Sequence, residues 1–254
     1  MTFDHARLQR YRARIGDEGP LRADEATLRR LHRRHVLSVP FENLDVVRGR
    51  PVSLDLDAAF DKIVERGRGG WCFELNGLFG AALRAIGFRV ADLGATVGAA
   101  EPAELNHLTL LVRLDQPWLA DVGFGFGPPE PLRLCEGATH FTAGAFALAR
   151  RDDVWLLESP GNGLGYAFTL RERGRDELEA ANRRLQSDTA SPFTHGLFVA
   201  RALADGYESV HRTTYARRRG GAIVESRELP DAELGVLLQK RFGLSLDTSA
   251  SGRG

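Results

Sequence analysis

Cysteine is scarce in this chain of 254 residues: there are two, Cys72 and Cys135. Two cannot make a disulfide framework, and a chain of this length buries a core without one. A reducing compartment, the cytoplasm, is therefore expected, and there Cys72 stays a free thiol. Net charge is lacking too, because 34 Lys and Arg balance 34 Asp and Glu. That leaves no global attraction to nucleic acid or to an anionic membrane. No run of about 18 apolar residues occurs, so no membrane span is expected. The opening MTFDHARLQRYRARIG is polar and Arg-rich, without the apolar stretch of a secretory signal. Lysine is nearly missing, with Lys62 and Lys240 alone among many arginines, which reads as compositional bias. Internal repeats and long low-complexity linkers are absent. What remains, 43% hydrophobic and 27% charged residues, is ordinary globular composition.

The first third of the chain has helical spacing. ADEATLRRLHRRHVLSV puts Leu28, Leu31, His35 and Val36 near one face. Pro40 and Pro51 then punctuate a loop, VPFENLDVVRGRPVSL. SLDLDAAFDKIVERG is helical again and closes at Gly67. From Cys72 a mostly apolar helix runs to Ile86 and stops at Gly87. The middle third changes period. FRVADLGATV, HLTLLVRL and PWLADVGF read as strands, the last two joined as a hairpin, and FALARRDDVWLLES as a hairpin turning at 151–153. PGNGLG reads as a flexible loop. GLFVARAL, ESVHRTTYAR and AIVESREL are expected strands. LPDAELGVLLQKRFG is a terminal helix with Asp231 as its cap, before a disordered tail, DTSASGRG. Helices, then strands, then a mixed end indicate an α+β protein in three parts, 1–87, 88–186 and 187–254.

RGGWCFELNGLF raises the chemical question. A helix N-terminus offers unpaired N–H groups and partial positive charge, which favours a thiolate, the nucleophilic form. Gly69 and Gly70 remove bulk just before Cys72 and let a substrate approach. A packed, inert cysteine would look the same locally. A nucleophile needs a base and an orienting acid. His107 opens the apolar strand HLTLLV, and Asp121 ends PWLA, where a buried acid requires a partner. Taken singly, these are also a strand-end histidine and a turn aspartate.

With VPFENL, RGGWCFELNGLF, a histidine opening HLTLLV, and DVGFG in this order, the chain resembles the arylamine N-acetyltransferases over nearly its whole length. The resemblance implies an N-terminal helical bundle, a central antiparallel β-barrel and a C-terminal α/β lid, with a cysteine-protease-like core. It implies a Cys72–His107–Asp121 triad and ping-pong transfer of acetyl from acetyl-CoA, a co-substrate, to an arylamine, arylhydrazine or arylhydroxylamine, as in xenobiotic metabolism. It places Phe41, Phe124 and Phe193 around the acceptor, where aromatic walls suit a flat ring. It pairs Glu42 with Arg68 as a brace for the active-site loop; breaking such a buried pair costs roughly 3–5 kcal/mol. No metal is implied, and pairing into a homodimer stays open.

Trp71 and Phe73 flank the nucleophile and are expected to close the pocket, while Glu74 and Asn76 read as helix-end and supporting groups. His32 and His35 lie three apart, but no thiol or carboxylate joins them, so an exposed helix is expected rather than a metal site. GFGFG and GNGLG match neither a dinucleotide nor a Walker motif. YARRRGG reads as a solvated hairpin turn rather than a site for CoA phosphates, and Cys135 as structural. GAAEPAEL, short and polar before His107, borders the pocket and bears on acceptor preference. Two alternatives share the triad: an amide synthase releasing a polyketide macrolactam from a carrier-protein thioester, and a thiol protease or transglutaminase, which would need an open peptide groove.

Overall fold

The computed structural model describes residues 3–159 and 163–246. Pro160–Asn162 of the PGNGLG loop and the DTSASGRG tail lie outside them. Helices α1 (His5–Ile15) and α2 (Glu25–Ser38) each start on an aspartate, Asp4 and Asp24, whose carboxylate accepts the N–H of the third residue on. A short α3 (Leu44–Val47) and α4 (Leu56–Phe60) follow, and α4 widens into a π-helical turn, Asp61–Glu65. The long α5 (Cys72–Ile86) begins at Cys72 and ends on Gly87, at φ 108, a left-handed backbone that only glycine adopts cheaply. Most of α5 is buried on every side, as expected of an almost wholly apolar helix at the centre of a fold.

Eight antiparallel strands follow: β2 (Arg89–Val97), β3 (His107–Arg113), β4 (Pro117–Ala120), β5 (Leu132–Arg133), β6 (Gly137–Phe141), β7 (Gly144–Arg151), β8 (Val154–Ser159) and β9 (Leu164–Glu172), with β1 reserved for Phe41–Glu42. Their order is β5-β4-β3-β2-β9-β8-β7-β6. The two edge strands are joined by residues 134–136 alone, so the sheet curls into a nearly closed barrel. Its β2–β3 wall packs on α5. The hairpin of β3 and β4 pairs Val112 with Trp118 and Leu110 with Ala120. The ladder stops there, short of the strand PWLADVGF expected from the sequence. Helix α6 (Arg175–Ser187) then ties back to the first third, its Asn182 amide donating to the Val52 carbonyl at 2.8 Å.

The α/β lid is a second antiparallel sheet, β1-β10-β11-β12-β13, in which β10 is Phe198–Leu203, β11 Gly206–His211, β12 Thr214–Arg219 and β13 Ala222–Glu228. Two sequence expectations change here. ESVHRTTYAR is not one strand, because it turns at Arg212–Thr213. The VPFENL loop contains β1, which pairs Phe41 with Ala200 and Glu42 with Val199, while Phe41 also bridges Gly70. The loop before Cys72 is thus stitched to the lid. Helix α7 (Asp231–Leu237) runs into a π-helical turn, Leu238–Phe242. Its cap position is Pro230, not Asp231; Asp231 lies inside the first turn, where its charge still suits the helix dipole. Among the described residues no helix is long and apolar enough to cross a membrane.

Candidate active site

The register of β3 and β4 sets the geometry. Continued one step beyond Leu110↔Ala120, it puts Asp121 across from Thr109. His107 lies two residues along β3 from Thr109 and so shares its face. His107 Nε2 meets Asp121 Oδ2 at 2.7 Å. Both residues are buried, as is Cys72 at the first position of α5. Cys72 is near enough to the same imidazole to favour its charged form, and the two side chains line one cleft.

The electrostatics follow from this. Burial opposes charge on His107, but the Asp121 carboxylate and its hydrogen bond outweigh it, Cys72 adds to them, and the imidazole pKa is pushed up to about 10. Burial likewise works against the charge on Asp121. His107, the Asn76 amide and the Gly123 N–H overcome it and hold the carboxyl below its usual range. The Asn76 donor lies 2.8 Å and the Gly123 donor 2.9 Å from Asp121 Oδ1. The proton between His107 and Asp121 therefore resides on the imidazole at neutral pH. The arrangement is that of a thiol facing an imidazolium steadied by a carboxylate.

The loop leading to Cys72 is held by a buried charge cluster. Arg68 donates to Glu42 Oε1 through Nη2 at 2.7 Å and to Asp45 Oδ1 through Nη1 at 2.8 Å. Lys62 Nζ lies 2.9 Å from both Asp45 Oδ2 and Glu74 Oε2. Glu74 Oε2 also accepts the Trp71 N–H at 3.2 Å. The expected Glu42–Arg68 pair is therefore one edge of a five-residue network. Sequence reasoning missed Lys62, although one of two lysines in so Arg-rich a chain, beside the apolar Ile63 and Phe60, was a signal.

Cys72 and His107 open into a cleft of about 690 Å³ whose walls include Phe41, Phe124 and Phe193, together with Phe126 and Phe198. Phe41 lies edge-on or tilted to Phe198 and Phe193, at 5.4 and 5.7 Å between ring centres. Ser209, His211, Thr214 and Arg218 of the lid sheet complete it.

Several expectations are corrected. Trp71 and Phe73 do not line the cleft; both are buried in the core, and Trp71 meets Phe193 edge-on at 6.1 Å. Cys135 is exposed, just after the two-residue strand β5, and is not a core thiol. In YARRRGG, Arg218 faces the cleft and lies over the Phe126 ring, while Arg217 and Arg219 pair with Asp205. His32 and His35 are fully buried, not exposed. His35 Nδ1 meets the Tyr11 hydroxyl at 2.7 Å, and His32 is bonded to the Asp121 backbone. Among the described residues no group of three or more His, Cys, Asp or Glu is placed to hold a metal ion.

Comparison with known proteins bears on the chain as a whole. Residues 24–251 match the family model described as N-acetyltransferase. The chain is 36% identical to the arylamine N-acetyltransferase of Escherichia coli K12, over 96% of this chain and 91% of that protein. It superposes on the arylamine N-acetyltransferase structure from Salmonella typhimurium with a TM-score of 0.89, at 34% identity, covering 98% of this chain and 95% of that one. On the Mycobacterium marinum arylamine N-acetyltransferase in complex with CoA the TM-score is 0.86 at 32% identity, covering 93% and 92%. These relatives give no support to the macrolactam-forming or thiol-protease alternatives. The chain belongs to the arylamine N-acetyltransferase family.

Proposed function

We propose that this chain transfers the acetyl group of acetyl-CoA to an aromatic amine, hydrazine or hydroxylamine by way of an acetylated Cys72. One observation carries the reading: Cys72 lines an aromatic-walled cleft together with His107, whose imidazole is bonded to the buried Asp121 carboxylate. In the first half-reaction the Cys72 sulfur attacks the thioester carbonyl. The first N–H groups of α5, that of Cys72 among them, have no carbonyl one turn earlier to bond and can receive the developing oxyanion. The carbon–sulfur bond to CoA breaks, and His107 gives its proton to the departing thiolate. In the second half the amine, stacked among Phe41, Phe124 and Phe193, attacks acetyl-Cys72. His107 takes the amine proton, and the Cys72 thiolate is released to pair again with the imidazolium. Glu42 and Arg68 brace the loop that presents the sulfur.

In this scheme residues 1–87 carry the nucleophile, 88–186 the histidine and aspartate, and 187–254 the lid, and the enzyme works in the cytoplasm on xenobiotic amines. Mass spectrometry after incubation with acetyl-CoA and no amine tests it. An acetyl adduct on the Cys72 peptide, discharged by adding an arylamine and absent from Cys72→Ser, is expected. Turnover without that adduct would overturn the reading.

A further inference from the structure

The triad scheme uses the Asp121 carboxylate but leaves open what fixes the backbone that carries it. After Ala120 the ladder ends, and three successive buried N–H groups must find partners elsewhere. That of Gly123 donates to Asp121 Oδ1 at 2.9 Å, and that of Val122 to Asn76 Oδ1 at 2.9 Å. That of Asp121 itself donates to His32 Nε2 of α2 at 3.1 Å. The other ring nitrogen of His32, Nδ1, lies 3.3 Å from the Pro129 carbonyl. An amide N–H can only donate and a carbonyl can only accept. The His32 ring must then be neutral, with its hydrogen on Nδ1 and its lone pair on Nε2. The Phe79 ring stands edge-on to it at 5.9 Å, and the side chain is wholly buried.

We propose that His32 is a positioning residue for the acetyl transfer: a permanently neutral imidazole that holds the Asp121 backbone so that the carboxylate meets His107. The inference rests on the triad reading above. Burial brings the His32 pKa down to about 4, against the upward pulls of the Pro129 carbonyl and of the Asp121 and Glu130 charges; the Asp121 N–H, donated to the Nε2 lone pair, favours the same neutral ring. His35, the neighbouring imidazole on α2, is held neutral by burial as well. The ring thus keeps its acceptor nitrogen throughout the working range, whereas a protonated ring would turn a donor against the Asp121 N–H.

The test compares His32→Leu, His32→Asn and His32→Gln with the unmodified protein. Leucine removes both bonds. Asparagine reaches only as far as Nδ1, so it can keep the Pro129 contact but leaves the Asp121 N–H unpaired. Glutamine reaches the Nε2 position with an acceptor oxygen. Cys72 alkylation by iodoacetamide is followed against pH, with kcat and KM for an arylamine alongside. In the Leu and Asn variants, alkylation at pH 6 and kcat should each fall roughly 10- to 100-fold, the scale of one buried donor left unpaired. KM should stay near its original value, and Gln should restore most of the loss. Folded Leu and Asn variants with an unchanged profile and kcat, or a Gln variant as impaired as Leu, would overturn the proposal. A second measurement needs no variant: the imidazole nitrogen NMR signals of His32 should show a protonated Nδ1 and a bare Nε2 from pH 5 to 9, and a hydrogen on Nε2 or a titration in that range would also overturn it. Failure of the unmodified protein to form acetyl-Cys72 would instead sink the triad reading, a separate outcome.

Discussion

Replacing Lys62 by methionine removes a charge that no other buried group can replace. Lys62, 5% exposed at its side chain, faces Glu74, also 5%, and Asp45, 13%, with Glu42 at 3.8 Å. Arg68 is the second cation inside the cluster, and Arg50 reaches Asp45 from the half-exposed rim at 3.9 Å. Three carboxylates thus already face two cations in the buried part, and the variant leaves them one. Methionine matches the lysine stem in length, so the loss is the charge rather than the packing. Breaking a buried pair by removing one partner costs roughly 3–5 kcal/mol. At roughly 2–4 °C per kcal/mol for a chain of this size, that lowers the melting midpoint by about 6–20 °C. The loss should depend on pH. Burial already pushes the Glu74 carboxyl above its ordinary range, while Lys62 opposes the rise; without Lys62 it goes higher. A carboxyl with a raised folded-state pKa contributes stability at low pH that is lost as pH rises through that pKa. The variant should therefore lie furthest below the parent at pH 8 and recover toward pH 5, as Glu74 takes a proton. Adding Glu74→Gln should recover part of the loss at pH 8. Scanning calorimetry of the three proteins at both pH values is the assay. A single variant within about 2 °C of the parent at pH 8, or a deficit that grows toward acid, would refute the argument.

Two further outcomes test the triad. His107 has a folded-state pKa of about 10 against about 6.5 unfolded, so its pairing with Asp121 stabilises fully below about pH 6.5 and fades as pH rises toward 10. Asp121→Asn should accordingly show its largest deficit in melting midpoint near pH 5–6 and a narrowing one at pH 9–9.5; a deficit independent of pH would contradict the pairing. At Gly123 a Cβ would lie 2.7 Å from Asn76 Nδ2 and 2.8 Å from the Cys72 Cα, and backbone cannot yield cheaply. Gly123→Ala should cost about 1–3 kcal/mol by overpacking and suppress formation of acetyl-Cys72, read by urea titration and by mass spectrometry of the Cys72 peptide.

The residues whose chemistry shows in a short window were legible in the sequence. The start of α5 at Cys72 and its stop at Gly87, the strands around His107, and an acid closing an apolar strand are local patterns, and local patterns survive folding. The family resemblance then joined Cys72, His107 and Asp121. What escaped had non-local causes. β1 is two residues long beside Pro40 and exists only because β10, more than 150 residues later, pairs with it. The three N–H groups after Ala120 are satisfied by an aspartate, an asparagine 46 residues away and a histidine 89 residues away, distances at which sequence carries no register. His32 is more instructive. Leu28, Leu31, His32 and His35 stand at i, i+3, i+4 and i+7, the spacing of a buried face. The pattern is present in the sequence, but two of its members are histidines set among arginines, and spacing alone does not show which buried partners satisfy their ring nitrogens.

The held and unheld parts of the site divide along a physical line. On the acyl side nearly every group is immobilised. Arg14 of α1 spreads four donors over the carbonyls of Ser38, Ile63, Gly67 and Arg68, at 2.8–3.1 Å. Lys62, Arg68, Glu42, Asp45 and Glu74 lock the same turn through charge, and β1 closes it against Gly70. A donor helix end aimed at a developing oxyanion gains from such rigidity, because nothing has to reorganise when the charge appears. Where the acceptor is proposed to bind, the wall is of another kind. Phe41, Phe193 and Phe198 touch through ring edges and tilted faces, contacts with broad minima that tolerate sliding. Rings held in this way can admit flat acceptors of differing outline without disturbing the sulfur. The sequence differences that alter which amine is preferred should therefore fall among these rings and the neighbouring lid strands, while changes around Arg14 and Lys62 should lower the rate with every acceptor alike.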